Sequence, residues 1–292
     1  MGVLLGGVLL YPLGIAGRAF WNEYDGFGPA PAHVDSESAR KELPGLLDVS
    51  WPSGRGKVAG WFVPGRERAA VVVMHGSGGD RSEMLSEVAI LAKGGFSVLA
   101  FDWPGHGEST GDVEWDESER AALRGALDWL SARPEVDRDR IGAFAFSLGG
   151  IPLIQVAAVD TRVRAVALAG TPEGYVELAH WEYRKHGALS EKPALLGMRL
   201  HGMHYDEQVP HQIIGQLAPR PLLMVLGEKD VTIPPEMTRA LFGAAHEPKA
   251  LLTLPDAGHG EYAVHGGAVY PERLRAFFGQ ALLGGQTGGT QP

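Results

Sequence analysis

The sequence predicts an α/β fold, a mostly parallel sheet with helices on both faces. Short runs that are almost wholly apolar, among them residues 69–74, 97–101 and 141–146, have the length of strands buried on both sides. Between them lie amphipathic segments whose apolar residues recur at helical spacing. Several of the apolar runs stop at glycine-rich loops, and in such sheets the working residues sit where strands end and loops begin.

Composition sets the outer limits. With 292 residues, 45% of them hydrophobic, the chain can bury a large core, and nothing in the pattern marks a split into two domains. Lys and Arg number 26 against 35 Asp and Glu, a net charge of −9, with no basic stripe interleaved with aromatics. Nucleic acid is therefore not an expected partner. The chain has no cysteine, which excludes a thiol nucleophile, a disulfide framework and thiolate-bound metals but leaves the compartment open.

Residues 1–28 form an apolar amino-terminal segment. Residues 2–17 carry no charge, and Arg18 follows. The run is somewhat shorter than the ~20 residues that span a bilayer, glycines and Pro12 weaken it as a helix, and the basic residue that opens a signal peptide is missing. Association with a membrane is the favoured expectation, with a cleaved signal or a segment packed on the protein itself as the others. Localisation thus stays open between membrane-associated, cytoplasmic and exported.

The main domain is expected over residues 29–283. Residues 29–42, polar with scattered Pro and Ala, read as a connecting arm. Residues 46–51 and 58–63 flank Pro52-Ser53-Gly54-Arg55-Gly56 and predict an antiparallel hairpin at the leading edge of the sheet. The strand over 69–74 stops at His75-Gly76-Ser77-Gly78-Gly79. A helix over 81–93 follows, with Met84, Leu85, Val88 and Leu91 on one side and Gly94-Gly95 as its stop. Strand 97–101 runs into Asp102-Trp103-Pro104-Gly105-His106-Gly107-Glu108-Ser109. A helix over 119–132 carries Leu123, Leu127 and Leu130 and is closed by Pro134. Strand 140–146 delivers Ser147, helix 151–159 lies behind it, and strand 164–168 follows.

Over about 172–219 the alternation lapses, and we read an inserted cap. Its Tyr175, Trp181, Tyr183, Met198, Met203 and Tyr205 either pack it onto the main domain or line a pocket. Strands 221–226 and 250–254 and a helix over 270–283 complete the domain. The tail, 284–292, is rich in Gly, Gln and Thr and is predicted to be disordered.

The chemistry centres on Ala145-Phe146-Ser147-Leu148-Gly149-Gly150. Small residues on either side of a serine between strand and helix let the backbone turn sharply and lift the hydroxyl clear of the sheet. By itself the pattern is weak, because a serine also caps helices. A serine nucleophile needs a base within hydrogen-bond reach and an acid to orient that base. Asp230 follows the strand at 221–226, and His259, flanked by glycines, follows the strand at 250–254. Asp230 is favoured over Glu228, which lies nearer the strand end, and His259 over His246 and His265. Backbone N–H groups for a developing oxyanion are expected from Leu148 and from Ser77 in the glycine-rich loop. That loop lacks the Gly-Lys-Ser/Thr ending of a phosphate-binding loop and the spacing of a dinucleotide fingerprint. His201, His204, Asp206 and His211 cluster in the cap without a strong zinc spacing, so no metal is expected.

Five motifs taken together, His75-Gly-Ser-Gly-Gly, Asp102-x-Pro-Gly-His-Gly-Glu-Ser, Ala145-x-Ser147-x-Gly149-Gly150, Gly227-x-x-Asp230-x-x-x-Pro234 and Gly258-His259-Gly260, resemble those of the α/β-hydrolase superfamily over residues 46–283. Within it the chain is most similar to the bacterial BEM46-like and FrsA-like serine hydrolases, several of which carry an amino-terminal membrane segment. The resemblance implies an α/β-hydrolase fold with a small inserted cap, Ser147 as nucleophile, His259 as base, Asp230 as orienting acid and no cofactor. Two departures stand out: Ala145 replaces the first glycine of G-x-S-x-G, and Trp103 occupies a position that varies in relatives. The expected activity is cleavage of a small-molecule carboxylic ester. A thioesterase acting on acyl-proteins or acyl carriers and a non-catalytic binding module on the same fold are the alternatives.

Overall fold

The computed structural model describes residues 14, 16–18, 20 and 21 and residues 34–284 except 55, 112, 114–116, 185–187 and 201–202. Its elements begin with α1 (Ser36–Glu42), β1 (Leu47–Ser53), β2 (Gly56–Val63), β3 (Ala70–Met74), α2 (Leu85–Lys93), β4 (Ser97–Phe101) and α3 (Glu117–Ser131). They continue with β5 (Ile141–Phe146), α4 (Gly150–Val159), β6 (Val163–Ala169), α5 (Tyr175–Arg184), α6 (Ala188–Leu200) and α7 (Pro210–Ile213). The last are β7 (Leu222–Gly227), α8 (Pro235–Ala244), β8 (Lys249–Leu254), α9 (Tyr262–His265) and α10 (Val269–Leu283).

The eight strands form one sheet in the order β1-β2-β4-β3-β5-β6-β7-β8. β1 and β2 pair antiparallel, as does β2 with β4, and every other pair is parallel. Strand periodicity distributes the apolar runs between two cores. In β3, Ala70, Val72 and Met74 face the layer that holds α3, α4 and the helices between β6 and β7, while Val71 and Val73 face α2 and α10. An all-apolar strand is what a sheet covered on both faces requires.

The order also locates a site. From β3 the chain adds β4 on one side and then restarts on the other with β5, so β3 and β5 are neighbours across a topological switch point. The connections leaving their carboxyl ends pass to opposite faces of the sheet and leave a crevice there.

The arm expected over residues 29–42 differs, because its second half is helical. Asp35 caps α1, its Oδ1 accepting from the Ser38 amide at 3.0 Å. Only Ala39 of this helix is buried, so it shows no apolar periodicity. Residues 81–84 form a 3-10 turn ahead of α2 rather than its first α-helical turn. The apolar segment 1–28 lies largely outside the described residues, as does the tail beyond Gly284. Among the described residues no helix is long and apolar enough to cross a membrane.

Candidate active site

Ser147 sits between β5 and a 3-10 turn that continues into α4, with φ of 53°. Left-handed backbone at a non-glycine residue costs about 1–3 kcal/mol and persists only where surrounding structure enforces it. Here the enforcement is crowding. A Cβ on Gly149 would overlap the His75 carbonyl oxygen, and a Cβ on Gly76 would lie 2.8 Å from the Ser147 Cβ. The loop after β3 therefore passes directly beside the serine. Ala145, the departure from glycine, is fully buried in the core with Met74, Leu148 and Ile151 around it, so its methyl is accommodated.

The turns after β7 and β8 bring two further side chains to this serine. His259 Nε2 lies 2.9 Å from Ser147 Oγ, and His259 Nδ1 lies 2.7 Å from Asp230 Oδ2. The second carboxylate oxygen, Oδ1, accepts from the amides of Thr232 at 2.9 Å and Ile233 at 2.8 Å. Both carboxylate oxygens are thus engaged, and an ionised carboxylate can only accept, so the imidazole proton belongs on Nδ1. That leaves the Nε2 lone pair to face the serine hydroxyl. The Phe146 ring packs against His259 with centroids 4.6 Å apart and limits its rotation.

Ser77 and Leu148 both line the cavity that opens over Ser147. Leu148 lies in the first turn of its helix, where amides have no intrahelical acceptor. The loop carrying Ser77 is anchored from below by His75. Its ring is buried, Nε2 accepting from the Trp103 amide at 3.0 Å and Nδ1 donating to the Gly76 carbonyl at 2.6 Å. Burial, with His106 beside it, pushes the His75 imidazole down to about 3, so the ring stays neutral. Next to it, buried Arg81 ion-pairs with buried Asp102 and reaches Glu108.

The cavity measures about 650 Å³ and is walled on one side by Tyr175, Leu178, Ala179 and Met198 from α5 and α6. Of the other bulky residues between β6 and β7, Tyr183 and Met203 are buried in the core. Trp181 lies under the Arg184 guanidinium and Tyr205 near that of Arg199.

The competing candidates are elsewhere. Glu228 pairs with Arg239, His265 faces Glu261 at 3.6 Å, and His246 packs on Gly215. In the cap, Asp206 pairs with Arg199 at 2.6 Å, His211 contacts the Glu173 carbonyl at 3.3 Å, and His201 lies outside the described residues. Among the described residues no group of three or more His, Asp or Glu is placed to hold a metal ion.

Sequence reasoning missed the supporting layer. Trp103, read as a freely varying position, is fully buried, and its indole Nε1 donates to the His75 carbonyl at 2.8 Å. The Arg81–Asp102 pair was likewise not anticipated. The signal available was Asp102 itself, a charged residue directly after a wholly buried strand.

A sequence profile described as the Alpha/beta hydrolase family matches residues 71–273. An uncharacterized protein of Mycobacterium tuberculosis is 31% identical over 266 residues, which cover 89% of this chain and 86% of that protein. The uncharacterized protein YfhR of Escherichia coli is 28% identical over 238 residues, 77% of this chain and 78% of its own. Among solved structures, the Pyrococcus furiosus esterase Pf2001 superposes with a TM-score of 0.72 at 19% identity, covering 88% of this chain and 98% of the esterase. The fold is the one the motifs led us to expect, and with the profile and these relatives it establishes that the chain belongs to the Alpha/beta hydrolase family.

Proposed function

We propose that the protein is a serine hydrolase that cleaves carboxylic esters through an acyl-enzyme, of the kind found in the BEM46-like and FrsA-like group. The observation that carries this reading is the unbroken relay from Ser147 Oγ through His259 to Asp230, at 2.9 and 2.7 Å. His259 Nε2 takes the hydroxyl proton as Ser147 Oγ bonds to the ester carbonyl carbon. Asp230 stabilises the imidazolium that forms. The amides of Ser77 and Leu148 donate to the developing oxyanion. His259 then returns the proton to the departing alcohol as the ester C–O bond breaks. Water, deprotonated by the same nitrogen, releases the acyl group and restores the serine. No step requires a cofactor.

The test is turnover of p-nitrophenyl esters of increasing chain length, beside Ser147→Ala and a fluorophosphonate probe. Turnover and labelling that vanish together in Ser147→Ala are the expected result. A marked preference for long-chain thioesters would move the assignment to a thioesterase. A folded wild-type protein that takes no label would overturn the catalytic reading in favour of a binding module.

A further inference from the structure

Glu83 stands on the rim of the cavity over Ser147, outside the relay. The turn that carries it is held from several sides. Arg81, which opens the turn, is buried and paired with Asp102, and its amide donates to Asp102 Oδ1 at 2.7 Å. Asp80 caps the turn, its Oδ1 accepting from the Ser82 amide at 2.8 Å, and Met84 closes it from within the core. The turn's backbone is thereby fixed, while the Glu83 side chain itself is exposed at the mouth of the cavity. Its carboxylate lies against Gly79, at a place where a Cβ would overlap it, beside the loop that supplies Ser77.

Among the described residues this carboxylate has no hydrogen-bond or ion-pair partner of its own. Burial and the nearby Asp80 push its pKa up, while His259 pulls it down, so it shares an electrostatic environment with the imidazole. Glu182 and Glu261 also line the cavity, Glu261 engaged by the Gly258 amide at 2.8 Å. No lysine or arginine is among the described residues lining it. Apolar side chains such as Phe146, Met198 and Ile233 make up much of the remaining wall.

We infer that Glu83 is a specificity-determining residue. It makes the site take esters that carry an ammonium or other cationic group beside an apolar chain and turn away those bearing a carboxylate or phosphate. The inference rests on the ester-hydrolase reading above. A fixed charge in a concave, partly apolar site focuses its field on whatever enters. At a separation of about 6 Å and an effective dielectric constant of about 40, a unit charge is worth about tenfold in affinity, with opposite sign for cation and anion. The total discrimination between them is therefore about 10²-fold, and it should weaken as salt rises.

The experiment uses p-nitrophenyl esters of equal length: hexanoate as the neutral reference, 6-aminohexanoate as the cation and the adipate monoester as the anion. Each kcat/KM is expressed relative to the hexanoate, so a general loss of activity cancels. The expected result is a cation-to-anion ratio of about 10² in the wild type that falls about 10²-fold, toward unity, in Glu83→Gln. A ratio unchanged in Glu83→Gln overturns the inference and leaves the hydrolase reading standing. If no ester turns over, the hydrolase reading fails, and calorimetric binding decides the charge preference separately. Octylammonium bound at least tenfold more tightly than octanoate, with the gap narrowing in Glu83→Gln, supports the inference. Octanoate bound as tightly as octylammonium overturns it.

Discussion

Trp103 grips His75 at two points: its backbone amide donates to the ring Nε2 at 3.0 Å, and its indole Nε1 donates to the His75 carbonyl at 2.8 Å. His75 opens the loop that passes beside Ser147, so a tryptophan after β4 fixes where the loop after β3 can lie. The grip also sets the tautomer of His75, because a nitrogen that accepts from an amide cannot carry the proton.

Trp103→Phe keeps an aromatic ring but removes the indole donor, leaving the His75 carbonyl unsatisfied in a dry interior. The expected cost is about 1–3 kcal/mol, read as a lower urea midpoint at unchanged slope. Ester turnover should fall as well, since the loop carrying Ser77 loses an anchor. An unchanged midpoint would show that the carbonyl finds another donor.

Asp230→Asn preserves shape but presents an NH₂ group to His259 or turns the imidazole to the wrong tautomer. Turnover should drop about 10⁴-fold, as is general for Ser-His-Asp sites. Combining it with Ser147→Ala should cost no more than Ser147→Ala alone, because in the proposed mechanism the three groups act as a unit. Additive losses in the double variant would refute a shared role.

Gly76→Ala places a methyl group 2.8 Å from the Ser147 Cβ and 3.3 Å from Phe146 Cδ1. Either the loop or the serine must shift, and displacement by about 1 Å costs roughly 10²-fold in rate. Circular dichroism should remain native while kcat falls. A variant that retains full activity would place the loop farther from the serine than the structure does.

Glu87 offers a pH test. It is buried against α10, with the Tyr270 hydroxyl donating to its Oε1 at 2.9 Å, and burial pushes its carboxyl up to about 7, against the opposing effect of that hydrogen bond. In the unfolded chain the group titrates near 4.5. Between these values the native state holds a proton that the unfolded state has released, so its stabilising contribution is complete below about 4.5 and lost by about 7. The loss amounts to about 3 kcal/mol. Glu87→Gln keeps the acceptor for Tyr270 without the charge. It should melt near the wild type at pH 4.5 and clearly above it at pH 8. Parallel pH profiles for the two proteins would overturn this account.

The middle of the sheet was legible because β3, β4, β5 and β7 are short apolar runs buried on both faces. Ser147, Asp230 and His259 were legible because each follows such a run within a few residues and turn-forming neighbours mark the spot. The supporting layer was not. Trp103 and His75 are 28 positions apart, and nothing local in either segment announces that an indole will meet a carbonyl. Glu83 reads as an ordinary polar position on an amphipathic segment until the fold sets it over the cavity. Helix α1 escaped for a different reason, since a helix with one buried residue leaves no periodic trace.

The relay has a temporal side. His259 stands 112 residues after Ser147 and 29 after Asp230 in the chain. At a synthesis rate of about 5–20 residues per second, the serine is made roughly 6–22 s before its base. During that interval the nascent chain holds an ordinary alcohol with nothing to deprotonate it, and so does any fragment that ends before β8. On the proposed mechanism, reactivity switches on only when the edge of the sheet is complete, which would make ester cleavage a readout of finished folding.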